Sequence, residues 1–263
     1  MVIDFHTHCF PDKIADKALQ KLSHVSGGME YYTTGTVDGI ISSMKRENVD
    51  MSVVLNIATN EHQQGSVNDF AAEINKIEGV VSFGSIYPKA ENALYELERI
   101  KSLGLKGIKL HPEYQEFFVD DHFMKPIYKK IAELGLVVVF HAGIDYGYSA
   151  PYHCMPQNLL NALKWIEFPV VAAHWGGAGC GEQVIELLCG KDLYFDTSFG
   201  YAQMPKVIAE KIIEKHGVDK MLFGTDSPWH TATMEKRLLN SLTLTDSEYD
   251  QIYFKNAMKL LNL

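Results

Sequence analysis

Asp4-Phe5-His6-Thr7-His8 lies at the head of the sequence, inside the apolar run Val2 to Phe10. Successive side chains of a strand point to opposite faces, so an extended reading puts Asp4, His6 and His8 on one face and Phe5 and Thr7 on the other. Two imidazoles roughly 7 Å apart along a strand can converge on one ion at ~2.0–2.1 Å, neutral imidazole being the commonest protein ligand of zinc and its neighbours. A lone His-x-His is equally the mark of one packed and one solvated histidine. The other strands have to decide between these.

Outward from that stretch, strand-like segments alternate with helix-like ones along almost the whole chain, which is the pattern of βα units and a parallel sheet. Eight strands are predicted: Val2–His8, Met51–Ile57, Val80–Tyr87, Lys106–His111, Leu136–His141, Val170–His174, Leu193–Thr197 and Met221–Asp226. A helix over about Pro11–Ser23, a Gly/Tyr-rich excursion over Gly27–Gly35 and a helix over Val37–Glu47 separate the first two. Helical spacing recurs at Val67, Phe70, Ala71, Ile74 and Ile77, and at Leu94, Leu97, Ile100 and Leu103 before Gly104. A further helix is expected over about Asp121–Leu134, and another over Thr245–Leu261 behind a Ser/Thr/Asp cap region. The apolar fifth strand suits burial on both faces. Eight such strands in 263 residues predict an α/β protein, a single closed (β/α)8 barrel with a C-terminal extra helix, in one domain over residues 1–263. An open dinucleotide-binding sheet is disfavoured, because no Gly-x-Gly-x-x-Gly follows the first strand.

Composition restricts the function. The hydrophobic fraction is 46%, charged residues make up 22%, and no apolar run approaches the ~20 residues needed to cross a bilayer. No basic segment followed by an apolar one opens the chain, so a cytoplasmic location is expected. A formal charge of -9 argues against nucleic-acid and anionic-membrane surfaces, leaving a small molecule as the expected partner. Cys9, Cys154, Cys180 and Cys189 form no Cys-x-x-Cys pair and read as reduced thiols.

In a barrel of this kind the chemistry sits at the C-terminal ends of the strands. Those ends read His6-Thr7-His8, Lys109-Leu110-His111, Phe140-His141, Ala173-His174 and Gly224-Thr225-Asp226, so five of the eleven histidines sit at the mouth ends of four strands. Scatter does not readily produce that. Lys109 and His111 share parity and should both face the axis, with Lys109 paired to an interior carboxylate such as Asp196 and His111 contacting substrate. Trp175, Tyr146, Tyr148 and Trp229 could wall a pocket for a planar or apolar acid, and His153 and His230 could orient a substrate. The only arginines, Arg46, Arg99 and Arg237, fall in predicted helices, so no guanidinium clamp for a carboxylate is evident.

Five motifs carry a family resemblance: Asp4-Phe5-His6-Thr7-His8, Gly107-Ile108-Lys109-Leu110-His111-Pro112, His141-Ala142-Gly143, Ala173-His174-Trp175-Gly176-Gly177 and Phe223-Gly224-Thr225-Asp226-Ser227-Pro228. With them the chain resembles the amidohydrolase superfamily over essentially its full length, in particular the branch holding aminocarboxymuconate-semialdehyde decarboxylase and related aromatic-acid decarboxylases. The resemblance implies one divalent metal, usually zinc with manganese as the alternative, held by His6, His8, His141 and Asp226 with a water completing the site. It also implies that Asp226 accepts that water's proton and that His174 polarises the substrate or moves a proton without being a ligand. Asp4 would stand behind the ligands and orient an imidazole; Lys109, where some relatives carry a carboxylated lysine, would also stand behind them. Relatives are often homodimers.

The expected activity is metal-dependent hydrolysis of an ester, amide or lactone by an activated water, with His111, Trp175, Tyr146 and His230 meeting the substrate. The alternative is a metal-dependent lyase that decarboxylates an unsaturated or aromatic acid. A third reading, a barrel that binds without catalysing, would show missing ligands, and all four are present.

Overall fold

Strand β5, Val137–Phe140, is Val-Val-Val-Phe with every residue buried, a run suited only to a strand covered on both faces. The computed structural model, which describes residues 1–263, sets it among seven others. These are β1 (Ile3–Thr7), β2 (Met51–Leu55), β3 (Val80–Phe83), β4 (Gly107–Leu110), β6 (Val170–Ala172), β7 (Tyr194–Asp196) and β8 (Met221–Leu222). All neighbours are parallel, in continuous ladders β1-β2-β3 and β4-β5-β6-β7-β8. Single bridges span the two seams. At one, Gly84 N donates to Gly107 O and Lys109 N to Gly84 O, both at 2.9 Å. At the other, Phe5 N meets Phe223 O at 2.7 Å, Asp226 N meets His6 O at 2.8 Å and His8 N meets Ser227 O at 2.6 Å. The predicted eight-stranded α/β barrel is therefore what forms, although its ladders are not continuous around the ring.

Each ladder stops short of the strand predicted for it. His8, His111, His141, His174 and Asp226 lie just beyond the strand ends, where the chain turns into the mouth loops. Helices α1 (Asp12–Val25), α2 (Val37–Glu47), α3 (Gln64–Ile74), α4 (Ala93–Ser102) and α5 (Met124–Leu134) cover the first half. Then follow α6 (Pro156–Ala162), α7 (Gly181–Leu187), α8 (Lys206–His216) and α9 (Ala232–Leu239). Local signals explain the ends: Thr36 caps α2 by accepting from Gly39 N at 3.0 Å, and Gly135 closes α5 in the left-handed region at φ 61°. The predicted tail helix is α10 (Asp246–Asp250), a π turn over Gln251–Lys255 and α11 (Asn256–Leu261), opened by a Thr245/Glu248 capping box. Ala257, Leu260 and Leu261 of α11 share one apolar cluster with Ile3, Phe5, Val139 and Val171, so the tail plugs the lower end of the barrel.

That cluster corrects the first strand's register. Ile3 pairs with Met51 and Asp4 with Ser52, but Thr7 pairs with Val54, so β1 carries one extra residue between Asp4 and Thr7. The bulge breaks the two-residue alternation. Phe5 faces inward with residues of β5 and β6, and so do His6 and His8, whereas Asp4 and Thr7 face outward onto a small cavity beneath Ile40, Met44 and Glu47 of α2. The expectation that Asp4 shares a face with the two histidines is thus overturned. No helix is long and apolar enough to cross a membrane, and all four cysteines are unpaired.

His216, at the end of α8, reports on the fold's acid tolerance. Gly190 N donates to its Nδ1 at 3.1 Å, its Nε2 hydrogen meets Leu193 O at 3.0 Å, and its ring stacks on Phe195. Burial pushes it from 6.5 down to about 4, so the neutral form is the one that folds. Stability from this group is fully present above pH 6.5 and is lost as pH falls towards 4. Thermal melts at pH 7 and pH 5 should therefore show a smaller difference for His216→Phe than for the parent protein.

Candidate functional site

The C-terminal mouth gathers a buried polar cluster around one carboxylate. Asp196, at the end of β7 and fully buried, accepts from His6 Nδ1 at 2.9 Å, from the backbone amides of His174 and Ser198 at 3.0 Å each, and from Ser198 Oγ. Burial would raise its pKa, but the His6 ring next to it holds the carboxyl well below the usual range. The expected pairing of Lys109 with an interior carboxylate such as Asp196 does not form. Lys109 makes no ion pair; its Nζ lies 3.3 Å from His6 Nε2, on the ring edge opposite Asp196. The two side chains come from β4 and β7, and each approaches a different nitrogen of the same imidazole. Burial brings Lys109 down to about 8.

With Nδ1 of His6 donating to Asp196, and Nδ1 of His8 donating to Leu55 O at 2.7 Å, both rings present an Nε2 lone pair. The two Nε2 atoms face each other at 3.1 Å across rings inclined by 71°, and Asp226 Oδ1 lies 3.3 Å from one and 3.2 Å from the other. Tetrahedral coordination at ~2.0–2.1 Å separates ligand atoms by roughly 3.3 Å, so three donors already stand at that spacing around one point. Asp226 adopts φ 66°, unusual for a residue with a side chain, and its backbone is tied to His6 O. Burial opposes its ionisation, yet the His6 and His8 rings hold its pKa far below the ordinary carboxylate value.

His141 does not join this trio; it groups with His111 and Asp145. A hydrogen-bond chain nevertheless fixes its tautomer. Ser198 gives its hydroxyl hydrogen to Asp196, so Ser198 Oγ accepts from His174 Nδ1 at 2.9 Å. His174 Nε2 is then an acceptor for His141 Nδ1 at 3.1 Å. The remaining atom, His141 Nε2, is a buried lone pair with no partner. His174 is occupied at both nitrogens, and burial pushes it down to about 4.

The His111, His141 and Asp145 group is no second cation site. The His111 and His141 rings stack at 4.2 Å and 15°, and lone pairs lie in the ring plane, so one ion cannot lie in both planes. His111 instead pairs its Nε2 with Asp145 at 3.3 Å, receives Tyr114 N at its Nδ1 at 3.5 Å, and lies between the rings of Tyr114 and His141. Its nitrogens are therefore engaged within the chain, and the expected substrate contact through them is not available.

Asp4 orients no imidazole. It accepts the amides of His6 and Thr225 and the Thr225 hydroxyl, tying β1 to β8 on the outer face of the bulge. Trp175 is 1% exposed, donates Nε1 to Thr197 O at 2.9 Å and belongs to the core, so it walls no pocket. Tyr146 and Tyr148 are exposed at the mouth, and His230 is partly buried with Nδ1 2.5 Å from Glu235 Oε1. Phe199 and Glu235 escaped the sequence reading. Phe199 sits one residue beyond the Ser198 of the central network, and Glu235 looks like any helix-surface acid until its burial is known.

Residues 3–263 match the Amidohydrolase family. No curated protein sequence matches the chain. An uncharacterised TIM-barrel protein from Bordetella bronchiseptica superposes with a TM-score of 0.82 at 18% identity, covering 99% of this chain and 98% of that one. A 5-carboxyvanillate decarboxylase from Sphingomonas paucimobilis gives 0.73 at 14% identity, with 100% and 99% covered. A dihydroxybenzoic acid decarboxylase from Polaromonas sp. JS666, solved with manganese and the inhibitor 2-nitroresorcinol, gives 0.72 at 14% identity, with 100% and 97% covered. At these identities the likeness is one of fold. The family match extends over nearly the whole chain, and the chain therefore belongs to the Amidohydrolase family, as an enzyme of that superfamily, hydrolase or lyase.

Proposed function

We propose that this chain is a metal-dependent hydrolase of a small carboxylic ester, amide or lactone. The observation that carries the reading is the convergence of His6 Nε2, His8 Nε2 and Asp226 Oδ1 at 3.1–3.3 Å, with both Nδ1 atoms turned away to other acceptors. A divalent cation satisfies that arrangement, with His141 Nε2, otherwise without a partner, as the fourth donor. Zinc suits three nitrogens and a carboxylate; manganese, present in the Polaromonas decarboxylase, is the alternative. When bound, such an ion supplies Lewis acidity and brings the pKa of a coordinated water from 15.7 to about 7.

The protein's own groups supply the rest. Asp226, held ionised, uses Oδ1 towards the histidines and keeps Oδ2 free of any partner in the chain, so it takes the proton of the attacking water. Asp226 then returns that proton to the departing oxygen or nitrogen, so that water is added across the broken bond, while His174, neutral and held by Ser198, fixes His141 through its Nε2. His230 and Tyr146 meet the substrate at the mouth. A second reading, loss of carbon dioxide from an unsaturated or aromatic acid, is favoured by the decarboxylases that share the fold. Product analysis on the purified enzyme separates them: a new carboxylate with an alcohol or amine denotes hydrolysis, and carbon dioxide or bicarbonate release denotes the lyase.

Elemental analysis should give one metal per chain, falling to near zero in His6→Ala and Asp226→Ala. In His174→Gln the metal should stay while activity falls by roughly 10- to 100-fold, the usual worth of a group that orients a ligating histidine; loss of metal there would overturn the division of roles.

Asp196→Asn removes the charge that orients His6 without removing a ligand. Chelator competition should show its metal affinity reduced by roughly 10- to 100-fold, as for other groups that orient a ligating histidine.

A further inference from the structure

Beyond His174 the mouth opens into a cavity of about 270 Å³, with Gly27, Gly28 and Met29 on one side and Tyr146, Phe199 and Gln203 on the other. We propose that Phe199, buttressed by His230 and Glu235, is the wall against which a flat, uncharged part of the substrate lies, while the reacting group sits at the inner cluster. The proposal rests on the metal-site reading for the position of the reacting group.

Phe199 is held in place by its neighbours. Its backbone adopts φ 55°, a conformation that a bulky residue occupies only when its surroundings impose it. Those surroundings are three hydrogen bonds to one carboxylate. Glu235, on α9 and 1% exposed, accepts Gly200 N at 3.0 Å, Tyr201 N at 3.1 Å and His230 Nδ1 at 2.5 Å. It thereby fixes the two residues after Phe199 and also the ring behind it, since His230 stacks on Phe199 at 4.4 Å and 25°. Gly200 adds a steric lock: a Cβ there would come within 2.3 Å of Trp175 Nε1, so the loop lies flush on the core. Phe199 is 9% exposed, and the part of it that borders the cavity is what remains for a ligand. The His174 ring lies 6.2 Å from it between centroids, inclined by 76°, and Tyr146 stands at 6.0 Å.

The chemistry of the cavity selects what lies there. None of its lining residues carries a formal charge, and its polar atoms are neutral, with Tyr146 OH donating to Gln203 Oε1 at 3.2 Å. An aromatic face favours an offset flat group over a puckered one, and a second charge placed here would lose water without gaining a counter-ion. Glu235 is a positioning residue in this scheme, since it acts through His230 and the loop, and Phe199 is the specificity contact.

Isothermal titration of the zinc-loaded full chain with benzoate, cyclohexanecarboxylate and terephthalate tests this. The first two share a head group and differ in flatness; the third adds a charge at the far end. Benzoate should bind roughly three- to tenfold tighter than either. Phe199→Leu should bring the benzoate to cyclohexanecarboxylate ratio near one, Phe199→Tyr should restore it, and Glu235→Gln should reduce it, all at unchanged zinc content. Equal binding of benzoate and cyclohexanecarboxylate, terephthalate binding as tightly as benzoate, a ratio indifferent to Phe199→Leu, or no binding of any probe to zinc-replete protein would overturn the proposal. A chain that takes up no zinc yet keeps the ratio would overturn the metal reading and leave the wall standing.

Discussion

The mouth of this barrel depends on the burial of one carboxylate. Asp196 has no access to water and no lysine or arginine beside it, so every donor that reaches it is obligatory, and the four that do define the site. One orients His6. Two are backbone amides that hold the chain at His174 and Ser198, and the fourth sets the Ser198 hydroxyl. From that hydroxyl the proton assignments pass in sequence to His174 and His141, each nitrogen's role following from the one before. A single charge thus determines the tautomers of three histidines from three different strands, which no sum of independent contacts would do.

The barrel itself was legible. Apolar runs such as Val137–Phe140, glycines after helices such as Gly135, and the Thr245 cap each carry a local physical signal, and together they locate eight strands and the tail helix. The histidines at strand ends were legible for the same reason, because a barrel puts equivalent positions of separate strands at one mouth. The bulge in β1 was not. A one-residue excess in a five-residue strand leaves no compositional trace, and its effect is to reverse the direction of Asp4 relative to His6. The cost of missing it was a wrong role for Asp4, with the imidazole-orienting part belonging to Asp196.

Parity has a second limit, visible at Lys109. It correctly turns that side chain towards the axis, but facing inward does not say which neighbour is met, since the interior holds residues of eight strands at several depths. Lys109 and Asp196 lie on opposite edges of His6. Loop residues escape altogether. Phe199 and Glu235 are 36 positions apart and meet only because β8 and its following turn return the chain to the loop after β7. Their relation is one of tertiary packing, and neither residue type announces it.

The protonation pattern of the buried groups carries the strongest functional argument. Asp4, buried in β1, and Asp226, partly buried in the turn after β8, differ in charge state: burial raises Asp4 to about 7, where its donors are neutral amides and a hydroxyl, while imidazoles hold Asp226 far lower. The histidines move the opposite way. Burial keeps His6 and His141 below their ordinary value and brings His174 to about 4. At neutral pH the mouth therefore presents His6 and His141 unprotonated together with ionised Asp196 and Asp226, which is the protonation state a divalent cation demands of such ligands. A merely structural cluster of the same residues would be expected to lower its own cost by sharing protons between carboxylates and imidazoles. Here the hydrogen bonds to Leu55 O, Asp196 and Ser198 fix the Nδ1 atoms of His8, His6 and His174 as donors and turn the Nε2 atoms of His6 and His8 towards Asp226 Oδ1, at the spacing of ligands around one cation.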